Sequence, residues 1–222
     1  MTFFIDNWVD ELVLKLKNEY GYRINFIGLQ GSYKRKEASD SSDIDIVVIL
    51  NKLTIQDLKK YRVIISEMPY KEKACGFISG QSEIMSWEKS ELFQFYYDTQ
   101  PIHGSIEYLL PLIDKADIKR AIKIGACNLY HGCCHNFIYE KSLAILSALY
   151  KSSFFILQAK YFDETNRHVD SKKDLVKKLT GADKEILDIC MNRKSLTTID
   201  ESDFSLYSEK IILWSSSLLQ SY

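Results

Sequence analysis

Apolar residues at Phe4, Trp8, Leu12, Val13 and Leu16 recur every three or four positions, which predicts an amphipathic helix over roughly the first 18 residues, closed before Gly21. Ile24 to Leu29 then reads as a strand. After a polar stretch, Asp43 to Leu50 is β-branched and apolar on both faces beyond its first turn, the pattern of a strand inside a sheet rather than at its edge. Thr54 is a good N-cap for a helix running to about Glu67 and stopped by Pro69. Ala74 to Ser79 predicts a third strand, Trp87 to Tyr97 a helix, and Ile102 to Ser105 a short extended piece that turns at Gly104.

From Asp117 onward the period changes. Ile118, Ile122, Ala126 and Leu129, then Leu143, Leu146, Leu149, Phe154 and Leu157, fit helical spacing with no strand signal between them. Further helices are expected at Leu175 to Leu179, Glu185 to Met191 and Leu206 to Leu219, and Asp163 to Ser171 reads as a flexible connection. The chain therefore divides into a mixed α/β part, residues 1–112, and a helical part, residues 113–222. No repeat or low-complexity tract interrupts either.

Composition narrows the function classes. The 222 residues are 46% apolar and 27% charged, enough to bury a core in one large or two small domains. Twenty-nine basic against 30 acidic residues leave a net charge of −1, which gives polymeric nucleic acid no global attraction. No apolar run is long enough for a membrane helix, and the acid-containing start lacks the features of a secretion signal. Five cysteines at irregular spacing, without a C-x-x-C pair, read as reduced thiols of a cytoplasmic protein.

Candidate chemistry concentrates between the first two strands, from Gly31-Ser32 to Asp43-Ile44-Asp45. Residues two apart on a strand share a face, so Asp43 and Asp45 present two carboxylates side by side. Like charges 4 Å apart repel by about 4 kcal/mol at an effective dielectric of about 20, so the pair calls for a cation. Mg²⁺ takes one or two protein carboxylates and completes its shell with phosphate oxygens and water, which suits a nucleoside triphosphate. Gly31 lets the backbone approach a phosphate, and successive N–H groups with the Ser32 hydroxyl can hold its oxygens. Lys34, Arg35 and Lys36 place positive charge in the same segment, either for the nucleotide or for solvent.

Gly31-Ser32, a spacer of ten residues and Ser42-Asp43-Ile44-Asp45, between two strands, resemble the nucleotidyltransferase superfamily of the DNA polymerase β type. Arg35 and Ala38 fall where small bacterial members often carry those residues. The resemblance implies an α/β (α+β) fold, a small mixed sheet with flanking helices. It implies Mg²⁺ on Asp43 and Asp45, ATP or another NTP as co-substrate, Gly31, Ser32, Arg35 and Ser42 at the nucleotide, and transfer of a nucleoside monophosphate with release of pyrophosphate. The family usually adds a third carboxylate from the next strand, and Ala74-Cys75-Gly76-Phe77-Ile78-Ser79 has none. Asp98, Glu83, Glu107 and Glu72 are the candidates in falling order, unless transfer is weak or absent.

The helical part resembles, in architecture only, the acceptor-binding bundle of antibiotic nucleotidyltransferases. That resemblance implies a small-molecule, aminoglycoside-like acceptor, with Glu140 as a base to test and a homodimer as an open possibility. The alternative is a regulatory or antitoxin-like module that adds AMP to a partner protein or only binds it. His131 and His135 share a helix face beside Cys134, as in a zinc site, but structural zinc needs four ligands, and a bundle interior explains the same residues. Tyr96, Tyr97, Tyr130 and Tyr139 could stack a base or sugar, although core packing accounts for most of the fourteen Tyr and eleven Phe.

Overall fold

The structure, a computed structural model, describes residues 4–222. The chain forms two compact units, one of residues up to Glu88 together with Phe95–Leu112, the other of Lys89–Gln94 with Ile113–Tyr222. No described helix is long and apolar enough to cross a membrane.

The first unit opens with α1, Ile5–Tyr20, whose end is set by Gly21 at φ +53. Its expected start reached back to Met1, and Met1 to Phe3 lie outside the described residues. Trp8, Leu12, Leu16 and Tyr20 recur at i, i+4 spacing and are buried in one cluster with apolar residues of the sheet. The strands are β1 (Ile24–Gln30), β2 (Ile44–Leu50), β3 (Ala74–Gly80) and β4 (Gln100–Gly104). They lie in the order β3-β2-β1-β4, with β2 parallel to β3 and β1 antiparallel to both β2 and β4. The double-sided apolar run of β2 follows from this position, because a central strand has both faces covered. β4 begins two residues earlier than expected, since Gln100 and Pro101 pair with Leu29 and Gly28.

The polar stretch after β1 opens with a short helix α2, Gly31–Lys34. Helix α3, Ile55–Ser66, is opened by a capping box in which Thr54 accepts from Asp57 N–H and Asp57 from Thr54 N–H. Two further helices, α4 (Gln81–Met85) and α5 (Lys89–Tyr97), precede β4.

Topology gives the sheet two distinct ends. The C-terminal end of β1 meets the N-terminal ends of β2, β3 and β4, with Gln30 opposite Asp45, Asp45 beside Cys75, and Leu29 opposite Gln100. At the far end lie Ile24, Leu50 and Gly80.

The second unit is helical: α6 (Lys115–His135), α7 (Leu143–Thr165), α8 (Lys172–Leu175), α9 (Gly181–Met191) and α10 (Glu201–Ser221). Ile118, Ile122, Ala126 and Leu129 of α6 are buried, as are Leu146, Tyr150, Phe154 and Leu157 of α7. One π turn, Asn136–Glu140, ends α6, and Asn136 secures the chain reversal by exchanging two hydrogen bonds with the Ser142 backbone (2.9 and 3.0 Å). The Lys89–Gln94 turn of α5 belongs to this unit, with Phe93 edge-on to Phe162 at 5.0 Å.

Two expectations are corrected here. Asp163 to Ser171 is not a loose connection: α7 continues to Thr165, Asn166 at φ +54 ends it, and the buried Gln158 amide donates to Val169 O at 2.8 Å. Nor do His131 and His135 face the bundle interior. Both are exposed, Cys133 alone of that run is buried, and no group of three or more His, Cys, Asp or Glu capable of holding a metal occurs among the described residues.

Candidate active site

Asp45 is the half-buried acid of β2, and its position is set by the register of a central strand. Its carboxylate lies directly over the α-carbon of Gly31: a Cβ added there would stand 2.1 Å from Asp45 Oδ2. No side chain fits that space. Gly31 also holds φ +68, a conformation that glycine adopts without steric cost. The Gly-Ser turn and the second acid of the motif are therefore in contact across the β1–β2 pair. Asp43 stands one residue before β2 and is exposed. Ser32 accepts Glu37 N–H on its carbonyl (2.8 Å), and Ser42 closes a turn with Ser39, accepting Ser39 N–H at 2.9 Å.

The strand ends also sort the four third-acid candidates. Glu83 follows β3 and Glu107 follows β4, which places both at the far end of the sheet. Asp98 precedes β4 and Glu72 precedes β3, both at the Asp45 end. Glu72 is exposed. Asp98 is 8% exposed and engaged: Arg35 Nη1 sits between its two oxygens at 2.6 and 2.7 Å, and Gly31 N–H points at Oδ2 from 3.3 Å. Burial pushes the Asp98 carboxyl above its ordinary pKa, opposed by the charges of Arg35 and Lys34 and by the Gly31 N–H.

Arg35, expected to offer its charge to a nucleotide, has a side chain only 7% exposed and lies against Asp98 and Glu37. Lys34 donates to Tyr97 O at 2.9 Å. Two of the three cations of this segment thus hold the turn to the α5–β4 junction, where sequence reasoning offered them to ligand or solvent. The position beside Asp45 on β3, where a third acid was sought, is the exposed Cys75. Glu140 is an exposed residue at the end of the π turn in the helical unit. Tyr96 and Tyr97 contact edge to face at 5.1 Å, while Tyr130 and Tyr139 are exposed in the helical unit.

Residues 9–102 match the family model of the nucleotidyltransferase domain. These residues, Lys89–Gln94 apart, lie in the first unit, which therefore carries a nucleotidyltransferase domain. No curated protein matches the chain in sequence. Among solved structures, it resembles spectinomycin adenyltransferase AAD(9) from Enterococcus faecialis, crystallised with ATP and spectinomycin, at 14% identity and TM-score 0.59 over 96% of this chain and 98% of that one. A nucleotidyltransferase-like protein from Exiguobacterium sibiricum 255-15 aligns at 10% identity and TM-score 0.39, over 96% of this chain and 75% of that one. The first likeness is one of fold, and it extends through the helices that follow the nucleotidyltransferase domain.

Proposed function

We propose that the protein transfers a nucleoside monophosphate, AMP in the first instance, from an NTP to a hydroxyl of a small, aminoglycoside-like molecule in the cytoplasm. The observation that carries this reading is the contact between the Asp45 carboxylate and the Gly31 turn. Asp43 and Asp45 would hold Mg²⁺: Asp45 lies on the glycine cradle and the exposed Asp43 precedes it by two residues, an open donor set rather than a closed protein cage, and Mg²⁺ asks for no more than that. Bound magnesium would neutralise the triphosphate and stabilise charge on the entering and leaving oxygens. Gly31 allows the polyphosphate to approach the backbone, and Ser32 supplies an N–H and a hydroxyl. Since Gly31 N–H is directed to Asp98, the Ser32 donors carry more of that contact than a pair of successive amides would. An acceptor hydroxyl attacks the α-phosphorus in line and pyrophosphate leaves. Glu140 is the helical unit's candidate base toward the acceptor, and its replacement by Gln tests the role. The like-folded neighbour crystallised with ATP and an antibiotic supports a nucleotide and a small acceptor as substrates.

A second reading is favoured by one residue. Cys75 beside Asp45 leaves the carboxylate pair without a third acid from β3, which suits a domain that binds nucleotide or modifies a partner protein slowly. Incubation with α-labelled ATP, Mg²⁺, aminocyclitol antibiotics and cell extract separates the two. Label on a small molecule is expected, label on a protein supports the second reading, and an Asp45→Asn chain that still labels would remove the proposed site.

A further inference from the structure

Three successive residues of the α5–β4 junction reach the segment that turns from β1 into α2. Lys34 Nζ donates to Tyr97 O at 2.9 Å, Asp98 receives Gly31 N–H and the Arg35 guanidinium, and Gln30 Nε2 donates to Thr99 Oγ1 at 2.6 Å. Thr99 is itself fixed, its hydroxyl donating to Phe95 O one helical turn back. The partners are separated by 63 to 69 positions in sequence, so these tethers are tertiary and not part of local turn formation. They run the length of the turn, from Gln30 to Arg35.

The free carboxylate a general base needs is missing at Asp98. A base must lie within hydrogen-bond reach of the proton it removes. Both Asp98 oxygens face Arg35, one also faces Gly31 N–H, and the side chain is 11% exposed. The same bonds give it a different use. Gly31 N–H is the first donor of α2, without a partner inside the helix, and Asp98 satisfies it from outside while Arg35, at the other end of α2, is held by the same carboxylate. One acid thus clamps both ends of a four-residue helix whose first residue carries the Asp45 contact.

We propose that Asp98 is a positioning residue, which with Thr99 and Tyr97 locks the Gly31–Ser32 turn against the Asp45 carboxylate and acts on nucleotide transfer only through that geometry. The kinetic half of this inference rests on the transfer reading above, and the structural half does not. The test combines amide hydrogen exchange with steady-state kinetics on the full chain, for wild type, Asp98→Asn and Thr99→Val. In Asp98→Asn, exchange across residues 30–35 should accelerate by about tenfold or more while the helical unit keeps its protection. KM for MgATP should rise about tenfold, with kcat within about threefold and the pH profile of kcat unchanged in shape. Thr99→Val leaves the Arg35–Asp98 pair in place, so the chain folds, and it should move exchange and KM in the same direction by about threefold. Unchanged exchange in both variants overturns the proposal. So does a hundredfold loss of kcat at constant KM with loss of the acidic limb of the pH profile, which is the signature of a base. A wild type that neither binds nor transfers nucleotide would sink the transfer reading, and exchange alone then decides whether Asp98 locks the turn.

Discussion

The two ends of the sheet repeat one local arrangement and differ in what surrounds it. At one end β1 runs through Gly31 into α2, and a carboxylate oxygen lies where the glycine Cβ would be, 2.1 Å from it. At the other, β3 ends at Gly80 and leads into α4, and Glu83 Oε2 occupies the same place at the same 2.1 Å. A glycine under a carboxylate is therefore not a site by itself. Glu83 comes from the helix that follows its own glycine, is exposed and can swing away. Asp45 comes from the neighbouring strand, is held by the register on both sides, and has a second acid two residues before it. Position fixed by long-range pairing, together with a second acid two residues away in sequence, distinguishes the Asp45 end from a side chain resting on a turn.

The comparison breaks most sharply at the acids. Asp45→Asn should lower nucleotide transfer by about a hundredfold or more, whereas Glu83→Gln should change it by no more than about twofold, measured as pyrophosphate release. The glycines come next. Gly31→Ala combines positive φ with a Cβ driven into a fixed carboxylate, so it should lose about 1–2 kcal/mol of stability and, through displaced Asp45, about tenfold or more of transfer. Gly80→Ala, at φ −87 with only a flexible Glu83 to displace and Leu53 N at 3.1 Å, should stay within about 1 kcal/mol in urea titrations and leave transfer intact.

A further substitution adds to the Asp45 end. Cys75→Asp places a carboxylate in register with Asp45, and transfer should rise about tenfold if the third strand is what limits it. A fall would show that a third negative charge at this point repels the triphosphate instead.

The far end uses its charges for the fold. Asp57 is 3% exposed, bonded by Arg23 at 2.8 and 2.9 Å and by Thr54, and these partners hold its carboxyl far below the usual carboxylate range. A depressed folded-state pKa stabilises the fold above the unfolded value, near pH 4, and that contribution is lost as pH falls toward the folded one. Asp57→Asn should therefore cost about 2–3 kcal/mol at neutral pH and flatten the acid side of a Tm-against-pH curve, with kcat unaltered.

Much of this was legible in order along the chain. The period of Trp8, Leu12 and Leu16, the double-sided run of Ile46 to Leu50, and the Thr54 cap each encode a local structure through the side chains themselves, and the Gly-Ser and Asp-x-Asp pairs carry the resemblance to nucleotidyltransferases. The roles of Arg35 and Asp98 were not legible, because they meet across 63 residues and an isolated Arg in a polar stretch looks the same whether it faces solvent or a buried acid. The ranking of Glu83 above Glu72 failed for the same reason: which end of a sheet an acid occupies depends on strand direction, and composition carries no record of direction.

The amino-acid sequence alone determined which segments bury, which turn, and that an Asp-x-Asp pair follows a Gly-Ser pair at the start of the second strand. Only the tertiary structure decided that the glycine lies under one of those acids, that Cys75 takes the place beside it, and that Asp98 and Arg35 neutralise each other under the turn. The physical reason is that periodicity and capping act over a few residues, whereas strand register and buried ion pairs exist only once distant parts of the chain have been brought together.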